Sequence, residues 1–380
     1  MPKNIVICCD GTANEFAKHN TNVVKLYSTL ERAPARQIAS YHPGLGTMEP
    51  AGALTTFARK LTKLLGLAIG YGLEQDIRDA YVFLMNNYEE GDRVFLFGFS
   101  RGAYTVRAVA SMLHLYGLIA PGHEPLVPYI IRMMMAIHRR RRDDAAQEKI
   151  VDAYFDLARD FHEAMSRPCK PWFVGVWDTV SSIGWVENPL KLPFVTNNPD
   201  IAIGRHAIAI DERRAFFRNH LWRPPDDPGA AVGPRDVRQV WFAGVHCDVG
   251  GGYAEGESGL AKIALEWMLD EATAAGLLVD KARRREVLGE SGGPFVKPDP
   301  RAPAHESLTG WWNLAELIPK RHYDHQTKTH GRRMNLHRRR TIPPQSLVHF
   351  SVQERGPEYC RRLPPDVIFV SSPQPSAQSA

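Results

Sequence analysis

Short apolar runs alternate with stretches of helical spacing along much of this chain, and four of the runs stop at a polar residue. Asn4 to Cys9 reads as a strand buried on both faces, and it ends at Asp10-Gly11-Thr12. Gln37 to Tyr41 is a weaker second strand, followed by the turn-rich HPGLGT. From Leu54 to Tyr88 the spacing is helical. Leu54, Phe57, Leu61, Leu64, Leu65 and Ala68 share a stripe that breaks near Gly70 and Gly72, then resumes at Ile77, Ala80, Tyr81 and Leu84. Val94 to Phe97 is a third strand. Behind it Ala103, Val106, Val109, Ala110 and Leu113 recur at helical spacing, with Gly117 as the stop.

Pro125 to Met165 is predominantly helical, basic in its middle, and carries Met133-Met134-Met135. PWFVGVWDTV and VRQVWFAGVHCDVGGGY give a fourth and a fifth strand, ending at Asp178-Thr179 and at His246. Leu260 to Leu269 is a helix with Trp267 and Met268 on its apolar side. Beyond Gly289 the chain is rich in Pro, Gly, Arg and His, with short apolar runs such as Leu347 to Val352, and no internal repeat is visible. The alternation predicts an α/β protein with a mostly parallel sheet and helices on both faces, and the motifs and resemblance given below make the expectation α/β-hydrolase-like. One catalytic domain is expected over 1–360, with a helical insertion at about 120–166 and a disordered tail over 361–380.

Parallel sheets gather functional residues at the carboxyl ends of their strands. Asp10, Ser100, Asp178 and His246 each close an apolar run, so they are expected on one edge. Ser100 stands between Gly98 and Gly102 at a strand-to-helix junction, which fits a nucleophile elbow, although a serine there can also be a plain N-cap. A second G-x-S-x-G match, around Ser291, follows a charged stretch and runs into Pro294, so it is read as a loop. Ser100, Asp178 and His246 keep the chain order of nucleophile, acid and base. Gly11, Thr12 and the backbone N–H of Arg101 are the candidate oxyanion donors.

Other readings remain open for most of these residues. Asp178-Thr179 can cap a turn, Asp10 can form an Asx-turn or brace the oxyanion loop, and His305 or His349 can replace His246 as base. His246-Cys247-Asp248 resembles part of a metal site but lacks further ligands at familiar spacing, so no metal and no cofactor is expected, with Asp248 in a supporting role. Gly250-Gly251-Gly252 has no P-loop frame and reads as a tight turn.

Composition adds little to this picture. The chain has 380 residues, 44% hydrophobic and 23% charged, an ordinary globular profile. Its net charge of +5 is concentrated in His138–Arg142, Arg283–Arg285 and His337–Arg340. Such runs are usually solvated faces, and without aromatic interleaving no nucleic-acid partner is expected. Five cysteines, an odd number, argue for free thiols in a reducing compartment. No signal-peptide pattern or membrane-spanning run is present, so a cytoplasmic protein is expected, with export by a dedicated secretion system left open.

The blocks CCDGTANE, GYGLEQDIRDAYVFLMNNYEEGDRVFLFGFSRGAYTVRAV, GVWDTVSSIG, AIDERRAFF and QVWFAGVHCDVGGGY occur in this order. Together they resemble the uncharacterised α/β-hydrolase domain found in first-class type VI secretion phospholipase effectors, over roughly residues 4 to 355. The resemblance implies a serine lipid esterase with its triad on Ser100, Asp178 and His246. Effectors of that class usually carry extra segments for membrane contact or delivery, so it supports ester hydrolysis better than secretion or a phospholipid substrate. The expected partners are a lipid or ester substrate and, through the Met cluster and Arg run of the insertion, the surface of an anionic membrane. A helical cap packed on the core is the competing reading of that insertion. A non-catalytic scaffold binding a partner through the basic C-terminal third is the alternative function. Oligomeric state is left open.

Overall fold

The computed structural model describes residues 2–11, 19–44, 69–139, 145–180, 184–185, 188–189, 192–215, 217–223, 236–309, 313, 316, 320–324 and 329–371. Eight strands form the central sheet: β1 (Asn4–Cys9), β2 (Gln37–His42), β3 (Arg93–Phe99), β4 (Pro171–Trp177), β5 (Ile203–Ala209), β6 (Asp236–Phe242), β7 (Leu347–His349) and β8 (Ile368–Val370). Their order is β8-β7-β6-β5-β4-β3-β1-β2, and every neighbouring pair is parallel. The expected mostly parallel α/β sheet is therefore parallel throughout.

The strands read as continuous apolar runs because both faces are buried. Ile5 and Ile7 of β1 and Val94 and Leu96 of β3 enter one core cluster, shared with α2 (Ile69–Asn87), α3 (Arg101–Tyr116) and α4 (Val127–Arg139). Val6, Cys8, Phe95 and Phe97 enter the other, shared with α1 (Asn22–Thr29) and α7 (Gly259–Ala274). Side chains two apart share a face. The short helix α6 (His246–Gly250) follows β6, and α8 (Lys281–Val287) precedes the exposed Ser291 loop, as expected of that second motif.

β5 was not anticipated, because Arg205 and His206 interrupt its apolar pattern. Arg205 is buried and paired with Glu271 at 2.5 Å and with Asp236 at 2.6 Å. A buried charge is tolerated when it is paired and hydrogen-bonded in this way.

Two expectations about the rest of the chain are corrected. The segment from 361 is not all tail: Val348 of β7 pairs with Phe369 of β8, closing the sheet. Pro364 and Pro365 before this short run, and the polar stretch after it, masked its β-branched and aromatic residues; residues 372–380 lie outside the described chain. In the insertion, α4 is followed by α5 (Ala145–Met165). Met133, Met134 and Met135 are buried in the core with Ile130 and Ile131 and present no apolar face to a membrane. They pack as a cap does. Arg140–Arg142 lie outside the described residues. Among the described residues no helix is long and apolar enough to cross a membrane.

Candidate active site

β3 delivers Ser100 to a corner that most residues avoid, with φ 57° and ψ −117°. Such backbone stores strain of about 1–3 kcal/mol and persists where the surroundings enforce it. The flanking glycines explain how strand and helix come so close. A Cβ on Gly98 would lie 2.5 Å from the Gly102 carbonyl oxygen, and a Cβ on Gly102 would lie 2.5 Å from that of Asp10. Ser100 occupies the N-cap of α3, yet its hydroxyl makes no capping bond to that helix. It faces the imidazole of His246, and Oγ–H donates to Nε2 across 2.9 Å.

The rest of the site is assembled by loops leaving β4, β5 and β6. Asp178 follows β4 directly, with φ 37°, and its N–H donates to Ala207 O at 2.7 Å. His246 Nδ1–H donates to Asp178 Oδ2 at 2.5 Å, which fixes the tautomer that leaves Nε2 open to Ser100. All three side chains are buried. The imidazole lies between the Phe99 and Phe217 rings, with centroids 4.6 and 4.9 Å away. Burial lowers the proton affinity of His246 below that of a free imidazole, and the Asp178 carboxylate opposes this. Burial works to raise the Asp178 carboxyl, but the charges of Arg340 and His246 outweigh it and hold the group well below the ordinary range.

Several site residues were not foreseen. Glu212 accepts from the His246 backbone N–H at 3.2 Å and from Arg214 Nε at 3.0 Å, and so ties the loop after β5 to the start of α6. Burial pushes its carboxyl up, but hydrogen bonding and charge from Arg214 bring it down to about 2. Arg340 forks onto Asp178, Nη1 to Oδ1 at 2.5 Å and Nη2 to Oδ2 at 3.0 Å. The run His337–Arg340 is thus not simply a solvated face: the Arg340 side chain packs against Asp178 and Arg339 reaches Asp211 at 3.3 Å. Glu212 and Arg214 belong to the AIDERRAFF block, but nothing in the spacing assigned them a role. Arg340 had no local signal, since its neighbours in sequence are also arginines.

The remaining candidates divide by what they touch. Asp10 ends β1 beside β3 and braces the following loop: Oδ1 accepts from Gly11 N–H at 2.6 Å, and Oδ2 accepts from Thr21 Oγ at 2.6 Å and Tyr41 OH at 3.0 Å. Gly11 therefore directs its N–H at Asp10 rather than outward toward an oxyanion. Thr12 lies outside the described residues. Arg101 is the first residue of α3, where a backbone N–H has no carbonyl of its own helix to bond. Asp248 accepts from Val245 N–H at 3.0 Å and from His305 Nδ1–H at 2.6 Å, and so secures the turn that carries His246. His305 is held there and stacks on Tyr253 with centroids 3.7 Å apart. His349 bonds Ser351 at 2.8 Å and stacks on Phe242. Of the three candidate bases, only His246 is on Ser100.

The chain is similar to known proteins over much of its length. It is 34% identical over 231 residues to an uncharacterised protein of Saccharomyces cerevisiae, YEL023C, which covers 58% of this chain and 33% of the yeast protein. The chain thus spans about a third of the length of that curated relative. Two solved structures show weaker likeness. One is an uncharacterised protein from Pseudomonas aeruginosa, with 20% identity, a TM-score of 0.42, and coverage of 74% of this chain and 47% of the other. The second is the Tle1 effector bound to the VgrG spike of the type VI secretion system, with 15% identity, a TM-score of 0.39, and coverage of 73% and 74%. Residues 3–271, well over half of the chain, match the catalytic domain of the type VI secretion phospholipase effectors described as Tle1-like, and the chain belongs to that family.

Proposed function

We propose that this protein is a serine hydrolase that cleaves acyl esters of phospholipids or related lipids through an acyl-enzyme. The observation that carries this reading is the hydrogen-bonded chain Ser100–His246–Asp178, with the serine held in strained backbone and unused by its own helix. A hydroxyl becomes a competent nucleophile when a base takes its proton as it attacks. His246 Nε2 takes that proton, and Asp178 holds the ring and stabilises the imidazolium. The tetrahedral oxyanion is met by the backbone N–H of Arg101, which as the first residue of α3 has no carbonyl of its own helix to bond. His246 then returns the proton to the leaving alcohol, and water repeats the sequence to release the acid. The lipid character of the substrate rests on family membership.

Labelling with a fluorophosphonate probe and hydrolysis of a phospholipid and short-ester panel test the reading together. Wild type and Ser291→Ala should label and turn over, whereas Ser100→Ala should lose both, by roughly three orders of magnitude or more. Labelling that survives Ser100→Ala would remove the nucleophile. Absence of labelling and turnover in wild type would favour a non-catalytic scaffold.

A further inference from the structure

A guanidinium holds Asp178 from the side away from His246. Each carboxylate oxygen accepts two bonds. Oδ1 takes Ala209 N–H at 3.0 Å and Arg340 Nη1 at 2.5 Å; Oδ2 takes His246 Nδ1 at 2.5 Å and Arg340 Nη2 at 3.0 Å. Arg340 is equally committed. Its Nε–H donates to Phe217 O at 3.0 Å, Nη1 also reaches Ala209 O at 3.2 Å, and Nη2 also reaches Phe217 O. Its side chain is 6% exposed. A guanidinium presents five N–H donors in a planar fork, and here they are directed at the Asp178 carboxylate, at Ala209 O at the end of β5 and at Phe217 O in the loop that follows.

We infer that Arg340 is a positioning residue of this site, fixing the Asp178 carboxylate and sharing its charge with His246. The inference rests on the hydrolase reading above for its catalytic meaning. It goes beyond the family block, which stops at residue 271. The C-terminal part of the chain thus completes the acid end of the relay.

The electrostatic consequence has a definite sign. Charged groups face His246 from two loops, Asp178 after β4 and Glu212 and Arg214 after β5, and Arg340 stands behind Asp178. The two carboxylates favour the imidazolium and Arg214 disfavours it; Arg340, paired with Asp178, acts on His246 through that carboxylate, whose charge it offsets. His206, buried under Thr179, has its proton affinity driven down mainly by burial and adds no charge near neutrality. Removing Arg340 leaves the whole Asp178 charge to His246, so the imidazole should take up a proton at higher pH. The carboxylate also loses two of its four bonds and becomes free to turn.

Two readouts test this, one of them independent of turnover. The first is titration of His246 by NMR in histidine-labelled wild type, Arg340→Met and Arg340→Lys. The second is kcat and KM against pH for a soluble ester, normalised to sites titrated by fluorophosphonate. In Arg340→Met the His246 midpoint should rise by about one pH unit, and the acid limb of kcat/KM should move with it. Its kcat per labelled site should fall by about tenfold or more with KM little changed. Arg340→Lys should keep the midpoint near that of wild type, since the charge is restored, but recover kcat only in part, since a lysine cannot fork. An unmoved midpoint in Arg340→Met would overturn the charge sharing. Full kcat in Arg340→Lys would overturn the positioning role. If Arg340→Met does not accumulate as folded protein, Arg340→Gln supplies the neutral side chain for the same comparison. Wild type that neither labels nor turns over would sink the hydrolase reading instead, and the NMR midpoints would still decide whether Arg340 acts on His246.

Discussion

Two hydrogen atoms, one on Gly98 and one on Gly102, decide whether the serine corner can form. At Gly102 a methyl group would press on the carbonyl oxygens of Cys9 and Asp10, both backbone atoms at the end of β1. Gly102→Ala must therefore push α3 away from β1, and forced overpacking of this kind costs roughly 1–3 kcal/mol. The same displacement moves Arg101 N–H relative to the loop after β1. Urea unfolding should show the stability loss, and fluorophosphonate labelling should slow well beyond what the residual folded fraction explains. Unchanged stability and labelling would mean that the contact is slack. These glycines were legible because the chemistry of the corner dictates them locally. Arg340 was not, because its partner lies 162 residues away and its own run offers three arginines with nothing to rank them.

At the scale of elements, the strands that read most plainly are those buried on both faces by apolar residues. β3 and β4 gave their positions away in this manner. β5 did not, because Arg205 takes its partners from Asp236 and from Glu271 in α7, which no local pattern announces. β7 was visible only as a short apolar run, and it carries a histidine whose burial makes a prediction. His349 is 3% exposed, and desolvation brings it down from the ordinary 6.5 to about 4. Between these two values the unfolded chain holds a proton at this site that the folded chain does not. Stability is thus lost as pH falls through that window, by about 2 kcal/mol at pH 5 for this one group. Wild type unfolded in urea at pH 7.5 and pH 5 should show that loss, and His349→Asn should shrink the difference between the two pH values by about the same amount. A variant whose acid sensitivity equals that of wild type would assign the effect to other groups.

For the whole molecule, the question is whether the block that defines the family is also the unit that folds. The contacts argue that it is not. Val348 of β7 and Val352, Tyr359 and Leu363 beyond it lie in the same core cluster as Trp241 and Phe242 of β6. A chain ending at residue 271 would turn β6 into a sheet edge and expose that apolar surface, and unpaired edges of this kind invite association. Asn335 and His337 also bond Glu316, whose other oxygen takes Ala215 N–H in the loop after β5, so the third that follows the family block is stitched to the active-site loops. A fragment of residues 1–271 is therefore expected to be insoluble, or soluble without fluorophosphonate labelling, because it lacks both the β7–β8 cover and the Arg340 fork. Soluble fragment that labels at the rate of the full chain would show that the matched block folds alone and that the basic C-terminal third is an appendage. The geometry weighs against that outcome: a segment that pairs with the sheet, fills its core and grips Asp178 is part of the same cooperative structure.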